Sequence, residues 1–432
     1  MASASSSTSR VRINHRLHSL YVRREWDECA ALVAAEERET GGRSAYATEL
    51  LGLIERHRGN VGGSLDLFEG ALAEWPQDVG AMKQVARNLA LLGRAREALS
   101  LLGEVQKLGE DSWEVWVTKG QCFRSLGKLE EAAECLVHSL VLQRSEKAYA
   151  ELCEVKEAMG DLVGAVAAAG EATELTPENA DALTTLGLLL LKSGDTPKGF
   201  TNLGWALALD PRNFRAILGA GSVIQDAGDF DVALIKYRVA AVAHPHSPEL
   251  WNNVGMCFFG KERFIASISC LKRARELAPF EAKICYNLGI TYLRTGQHAS
   301  AFHHLGAAVS LDPEMAPAYA YMGVALARMD DLENAISAYE RSLELDGSDA
   351  IVHLNFGITL FNFGEFQAAQ GHLAYFEDLW ELLDEEARAD DPEVQEQHAA
   401  LSQALEDHAG LTRDMRRRPS ADADDDGAGI GA

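Results

Sequence analysis

A 34-residue period runs through nearly the whole chain, and no other feature limits its fold as tightly. The segment Trp251-Asn-Asn-Val-Gly-Met-Cys-Phe-Phe realigns one period later with Cys285-Tyr-Asn-Leu-Gly-Ile-Thr-Tyr. The same register returns at Tyr319-Ala-Tyr-Met-Gly and His353-Leu-Asn-Phe-Gly, and earlier at Leu183-Thr-Thr-Leu-Gly and Ile217-Leu-Gly-Ala-Gly. Units then start at residues 11, 45, 79, 113, 146, 180, 214, 248, 282, 316 and 350, with one step of 33 between the fourth and fifth. A unit this short cannot bury its apolar face alone, so it has to stack on its neighbours.

Each column of the repeat has a physical reading. Position 20 is Ala30, Ser64, Ala98, Ala132, Ala165, Gly199, Ala233, Ser267, Ala301, Ala335 and Ala369, never larger than serine. Position 8 is Gly or Ala in nine of eleven units, with His18 and Cys153 the exceptions. Two small columns predict two helices, A and B, in close contact at those positions, where a large side chain would overpack. Position 24 supplies a bulky knob, as in Phe68, Tyr237, Leu271 and Tyr339. Glycines at 59, 93, 127, 160, 194, 228, 296 and 364 fall between the helices, where left-handed backbone is wanted. Prolines at 76, 177, 211, 245, 279 and 313 follow helix B and stop it. These columns are similar to the tetratricopeptide repeat. They predict an all-α fold, a superhelical solenoid of about eleven helix pairs over residues 11–377.

The ends read differently. The first unit keeps Leu17, Tyr21 and Ala30 but lacks the turn glycine, as a capping repeat would. Residues 378–411 are predicted to form capping helices, with Leu379, Trp380, Leu382 and Leu383 early and a break at Asp391-Pro392. Residues 1–10 and the acidic tail 412–432 are Ser-, Asp- and Gly-rich and are expected to be disordered. The run Arg416-Arg417-Arg418-Pro419-Ser420 within that tail is read first as a tail without a fixed role, and second as a kinase site or weak targeting signal.

Composition narrows the function. A formal charge of −25, from 40 basic and 65 acidic side chains, repels phosphate backbones and anionic lipid over any broad face. Nucleic acid is therefore not an expected partner, although a local basic pocket is compatible with that charge. Seven scattered cysteines without CxxC read as buried free thiols in a reducing compartment. MASASSSTSR has no apolar core behind its first basic residue, and the greasiest run, around Leu186–Leu191, is too short to cross a bilayer. Gly120 and Gly127-Lys128-Leu129 have the wrong spacing for a phosphate loop, and both glycines already serve the repeat. His298, His303 and His304 share a helix without metal-ligand spacing, so they are read as solvated side chains. No catalytic, cofactor or metal residues are assigned, and the chain is read as a non-enzyme.

Strings beyond the repeat consensus point further. They include Ala216-Ile-Leu-Gly-Ala-Gly-Ser, Gly228-Asp-Phe-Asp-Val-Ala-Leu-Ile-Lys-Tyr-Arg-Val and Leu250-Trp-Asn-Asn-Val-Gly-Met-Cys-Phe-Phe-Gly-Lys. Ala266-Ser-Ile-Ser-Cys-Leu-Lys-Arg-Ala, Leu277-Ala-Pro-Phe, Lys83-Gln-Val-Ala-Arg and Leu91-Leu-Gly extend the set. The chain resembles the Bardet–Biedl syndrome protein 4 family, repeat subunits of the BBSome, from about residue 13 to 380. The resemblance implies a non-enzymatic scaffold subunit of a coat complex that moves membrane proteins to and from cilia. It also implies other BBSome subunits, centriolar-satellite proteins and motor adaptors as partners, and membrane contact only through the complex. It further implies a place in the cytoplasm, cilium, basal body and centriolar satellites. The alternative is an unrelated repeat adaptor in centrosomal or chaperone assembly.

For a repeat scaffold the expected binding surface is the concave groove, lined by helix A positions 2, 5, 9, 12 and 13. The middle units offer Asn252, Met256, Phe259, Lys283, Tyr286 and Arg294, a mix suited to an extended peptide or a partner helix. The last unit offers Ile351, Leu354, Ile358 and Phe361, too apolar to stay bare. Either the C-terminal helices cover these four or a neighbouring subunit inserts there. A chaperone-type carboxylate clamp is incomplete: Asn253, Asn287 and Asn355 occupy position 6, but the preceding unit never supplies the lysine.

Overall fold

The computed structural model describes residues 13–40, 44–382 and 392–417, apart from the side chains of 39–40 and 410–417. The expectations for 1–10, for the break at Asp391 and for 418–432 lie outside those residues. Among the described residues every regular element is a helix, and the helices form eleven antiparallel A–B pairs followed by one more. Helix A covers the first part of each unit, from Ala45–His57 in the second to Ala350–Asn362 in the eleventh. Helix B follows the turn, from Val61–Glu74 to Phe366–Glu381. The chain divides into two compact units, Met1–Ala220 and Gly221–Ala432, the division falling within the seventh pair.

Local chemistry sets the helix ends. Ser44, Asp78, Asn179, Ser247 and Asp349 cap helix A of their units by accepting backbone N–H groups of the first turn. The eight turn glycines all have positive φ, between 71° and 90°. Gly59 shows why: its N–H donates to the Arg56 carbonyl and the Asn60 N–H to the Glu55 carbonyl, closing helix A through a left-handed residue. Units without the glycine force Arg24, Glu262 and Asp330 into that conformation instead. The one-residue deletion between units four and five shortens only the loop between Leu142 and Glu146.

The close contact inside each pair differs from the expected one in a useful way. Position 8 is small chiefly because the knob at position 24 lies on it. A Cβ added at Gly120 would sit 2.7 Å from Leu136 Cγ, and at Gly221 2.5 Å from Tyr237 Cε1. Position 20 contributes backbone there, with the Gly199 carbonyl 3.1 Å from a Cβ at Gly187. The fifth unit inverts the sizes: Cys153 at position 8 faces Ala169 at position 24, both buried in one cluster. In the fifth unit a larger residue at position 8 thus goes with a smaller one at position 24.

The first unit is out of register with the sequence alignment. Cys29 Sγ lies 3.7 Å from the Leu17 carbonyl, where Ser64 Oγ donates to the Gly52 carbonyl at 2.6 Å. The Glu25 N–H likewise donates to the Leu20 carbonyl, as the Asn60 N–H does to Glu55. Cys29 therefore stands at position 20 in place of Ala30, and Leu17 at position 8 in place of His18. Cys29 and Leu17 are fully buried, whereas His18 is exposed and accepts or donates to the Tyr46 hydroxyl at 3.0 Å. Without a glycine to mark the turn, the spacing to the second unit is free to be one residue longer.

The C-terminal boundary also shifts. Helix B of the eleventh unit runs through residue 378 to Glu381, because no glycine or proline falls after Gly371 and Trp380 stacks on Phe376 with ring centroids 5.2 Å apart. One helix, Pro392–Arg417, follows as the cap and continues past the expected boundary at 411. Pro392 starts it, where a missing N–H costs nothing.

Candidate functional site: the helix A face of units eight to eleven

Helix A of units eight and nine, Pro248–Gly260 and Ala282–Arg294, brings six of the expected surface residues together. Asn252 accepts from the Asn287 amide at 2.8 Å and donates toward its neighbour Asn253 at 3.3 Å, so one position-6 asparagine, Asn287, ties successive A helices together through Asn252. Met256 and Tyr286 lean on the cluster built from Leu271, Leu288 and Leu305, each leaving part of its surface outside. Tyr286 meets Tyr321 of the next unit edge-on, centroids 5.9 Å apart, and burial pushes its hydroxyl pKa well up. Phe259 packs edge-on against Phe264 at 5.7 Å. Lys283 and Arg294 are exposed. Tyr321 and Phe264, absent from the sequence-based set, belong to this surface. Phe264 starts helix B and so lay outside the helix A columns used to find it.

The last unit is different. Leu354 is fully buried, and Ile358 and Phe361 pack with it against Val394, Leu401 and Leu405 of the terminal helix. Phe366 stacks on His408 at 3.7 Å and His398 pairs with Glu377 at 2.9 Å along the same seam. Of the four apolar residues only Ile351 keeps a large open surface, 42%. Of the two alternatives for Leu354, Ile358 and Phe361, these contacts are those of cover by the C-terminal helix and not of an inserted neighbour, and they leave Ile358 and Phe361 only partly open. Arg294 lies 3.7 Å from Glu393 at the start of that helix, an exposed pair of small energetic weight.

The histidine cluster also departs from expectation. His304 is only 7% exposed, stacks on Tyr292 at 5.3 Å, and accepts from the Arg275 guanidinium at 2.9 Å. It is a packed neutral imidazole and not a solvated one. Burial first, then Arg275, pushes its pKa down to about 4. A histidine depressed below its ordinary value of 6.5 contributes stability that is complete above that value and lost as the pH falls toward 4. His304→Gln should therefore flatten the decline in melting temperature between pH 6.5 and 4.5, read by circular dichroism; an unchanged slope would show that His304 takes up no proton on acid unfolding. Among the described residues no three His, Cys, Asp or Glu side chains are grouped to hold a metal. No described helix is long and apolar enough to cross a membrane.

A tetratricopeptide-repeat family model matches residues 17–79, 86–136, 184–248 and 286–350. BBSome complex member BBS4 of Bos taurus is 42% identical to this chain over 394 residues, covering 91% of this chain and 76% of the relative. The chain belongs to the BBS4 family. BBS4 of Xenopus tropicalis is 40% identical over 395 residues, covering 91% and 77% of the two chains. The Caenorhabditis elegans member bbs-4 is 30% identical over 380 residues, covering 85% and 81%. The expected resemblance thus holds across the repeats, and the BBS4 family shares the helix-pair fold described here.

Proposed function

We propose that this chain holds other BBSome subunits along its helix A faces while the complex carries membrane proteins to and from cilia. It is a repeat scaffold subunit of the BBSome and not an enzyme. The observation that carries this reading is the family match, which spans nearly the whole repeat array. That match also displaces the unrelated-adaptor alternative. A long array presents many weak contacts at once, and their combination supplies affinity that no single contact would. The open part of the surface, Asn252, Met256, Phe259, Lys283 and Tyr286, is where a partner segment fits; Arg294 and the last unit are engaged by the terminal helix. Cilium, basal body and centriolar satellites are the expected places of action, with membrane contact through the complex.

The test is purification of a tagged full-length copy from ciliated cells by size exclusion and mass spectrometry. Co-elution with the other BBSome subunits is the expected result, and elution of the chain apart from all of them would overturn the reading. Tyr286→Ala together with Phe259→Ala should weaken retention in the complex about tenfold or more, since aromatic anchors carry much of an interface. Unchanged retention would move the contact elsewhere.

A further inference from the structure

Helix B of the seventh unit, Phe230–Ala243, carries an apolar stripe that its own pair does not cover. Val232, Ile235, Val239 and Val242 are 45%, 62%, 48% and 85% exposed. Their spacing of three, four and three residues puts them on one face of the helix, as the a and d positions of a heptad. Single exposed apolar side chains are ordinary, but a continuous stripe of four is not. The repeat does not require it. The four stand at positions 19, 22, 26 and 29, and no other unit from the second to the eleventh has more than one large apolar side chain there. Those single residues are Val141, Trp205 and Tyr375. The same helix pair is thus built elsewhere in the chain without the stripe.

Beside the stripe lies an open cavity of about 450 Å³, within the compact unit Gly221–Ala432. Leu234 and Ile235 form one wall, and Trp251 and Phe258 of the following helix A form the other. Arg238, Lys261 and Arg263 rim it. The one carboxylate among its lining residues, Asp231, is ion-paired with Lys261. Lys236 and Arg238 occupy the heptad e and g positions that flank the stripe. These two and Arg263 are exposed, and none of the three forms an ion pair among the described residues. A chain of net charge −25 therefore keeps a basic rim around this apolar surface.

We propose that this face docks an acidic amphipathic α-helix of a partner protein. Apolar residues of that helix at heptad spacing pack along the stripe and into the cavity, and its flanking carboxylates meet Lys236, Arg238 and Arg263. A second copy of this face fits less well. It would bring a second set of the same cations to the rim, with Asp231 already held by Lys261. An anionic bilayer is disfavoured because the chain as a whole repels it and a cavity between helices takes projecting side chains. The surface uses helix B and the Trp251 side of the next helix A, and not Asn252, Met256 or Phe259. It therefore goes beyond the assembly reading and is tested apart from it.

The experiment titrates a fluorescein-labelled peptide of about three heptads, leucine at a and d and glutamate at e and g, with the full chain. Anisotropy reads the affinity and circular dichroism the helicity of the peptide. Saturable binding with a gain of helix is expected, and a peptide with lysine at e and g should bind about tenfold more weakly. Ile235→Gln with Val239→Gln alters only exposed side chains, so it should keep the melting temperature and weaken binding about tenfold or more. Lys236→Glu with Arg238→Glu should reverse the preference toward the lysine peptide. Absence of binding, equal affinity of the parent for both peptides, or unchanged affinity in the Ile235/Val239 variant would each overturn the proposal. So would a parent dimer that the same variant dissociates, or phosphatidylserine vesicles that bind as tightly through the same residues.

Discussion

Gly255→Cys should lower the melting temperature of the chain, and adding Leu271→Ala should recover part of what either change loses alone. A Cβ on Gly255 lies 2.7 Å from Leu271 Cγ and 2.9 Å from its Cδ2. Leu271 is fully buried. Overpacking of this kind costs about 1–3 kcal/mol. Leu271→Ala alone leaves a cavity and costs about 2–5 kcal/mol. Together they recreate the pair found in the fifth unit, Cys153 against Ala169, where the large and small residues have changed places. The two penalties fill and empty the same space, so they should not add. Urea or thermal unfolding of the four chains measures the coupling. A double variant that loses the full sum would show that the paired volume is not what the columns conserve. Gly255→Leu, with no compensating change, should cost more than Gly255→Cys by the same argument.

Leu401→Asp should release the terminal helix and convert a monodisperse chain into a self-associating one. Leu401 is 4% exposed and packs among Leu354, Leu373, Phe376 and Val394. Its Cδ2 also lies 3.3 Å from a Cβ position at Gly357, so the terminal helix approaches the last pair's own backbone. A carboxylate cannot remain there unpaired; the helix undocks at a cost of about 3 kcal/mol or more. Undocking exposes Leu354, Ile358, Phe361 and Phe376 together, an apolar patch of the kind that drives association. Light scattering after size exclusion and hydrogen exchange over residues 350–377 measure the effect. Removal of everything after Leu382 should do the same. A soluble monomer with unchanged exchange in either chain would mean that the terminal helix does not protect the last pair.

The register of ten of the eleven units was legible in the sequence because each unit repeats the same steric requirement. Turn glycines at one position mark the middle of a unit and prolines after helix B mark its end, and the small column at position 20 confirms the phase. The first unit was misaligned by one residue for a physical reason. With Arg24 in place of glycine, the packing of Cys29 against Leu17 is what distinguishes one register from the next. Family membership was legible too, in the strings between 216 and 280 that the repeat does not require.

What the sequence determined by itself was local and periodic: the helix pairs, their turns and their tight contacts, since each arises between residues close along the chain or one period apart. What only the tertiary structure decided was which surfaces remain open. For Leu354, Ile358 and Phe361 the sequence leaves cover by the C-terminal helices and insertion of a neighbouring subunit both open, because the covering residues, Val394 to Leu405, lie beyond the period and carry no column of their own. His304 looks solvated until Tyr292 and Arg275 enclose it. In each case the partner is chosen by packing across units, a distance along the chain that neither helix periodicity nor turn chemistry encodes.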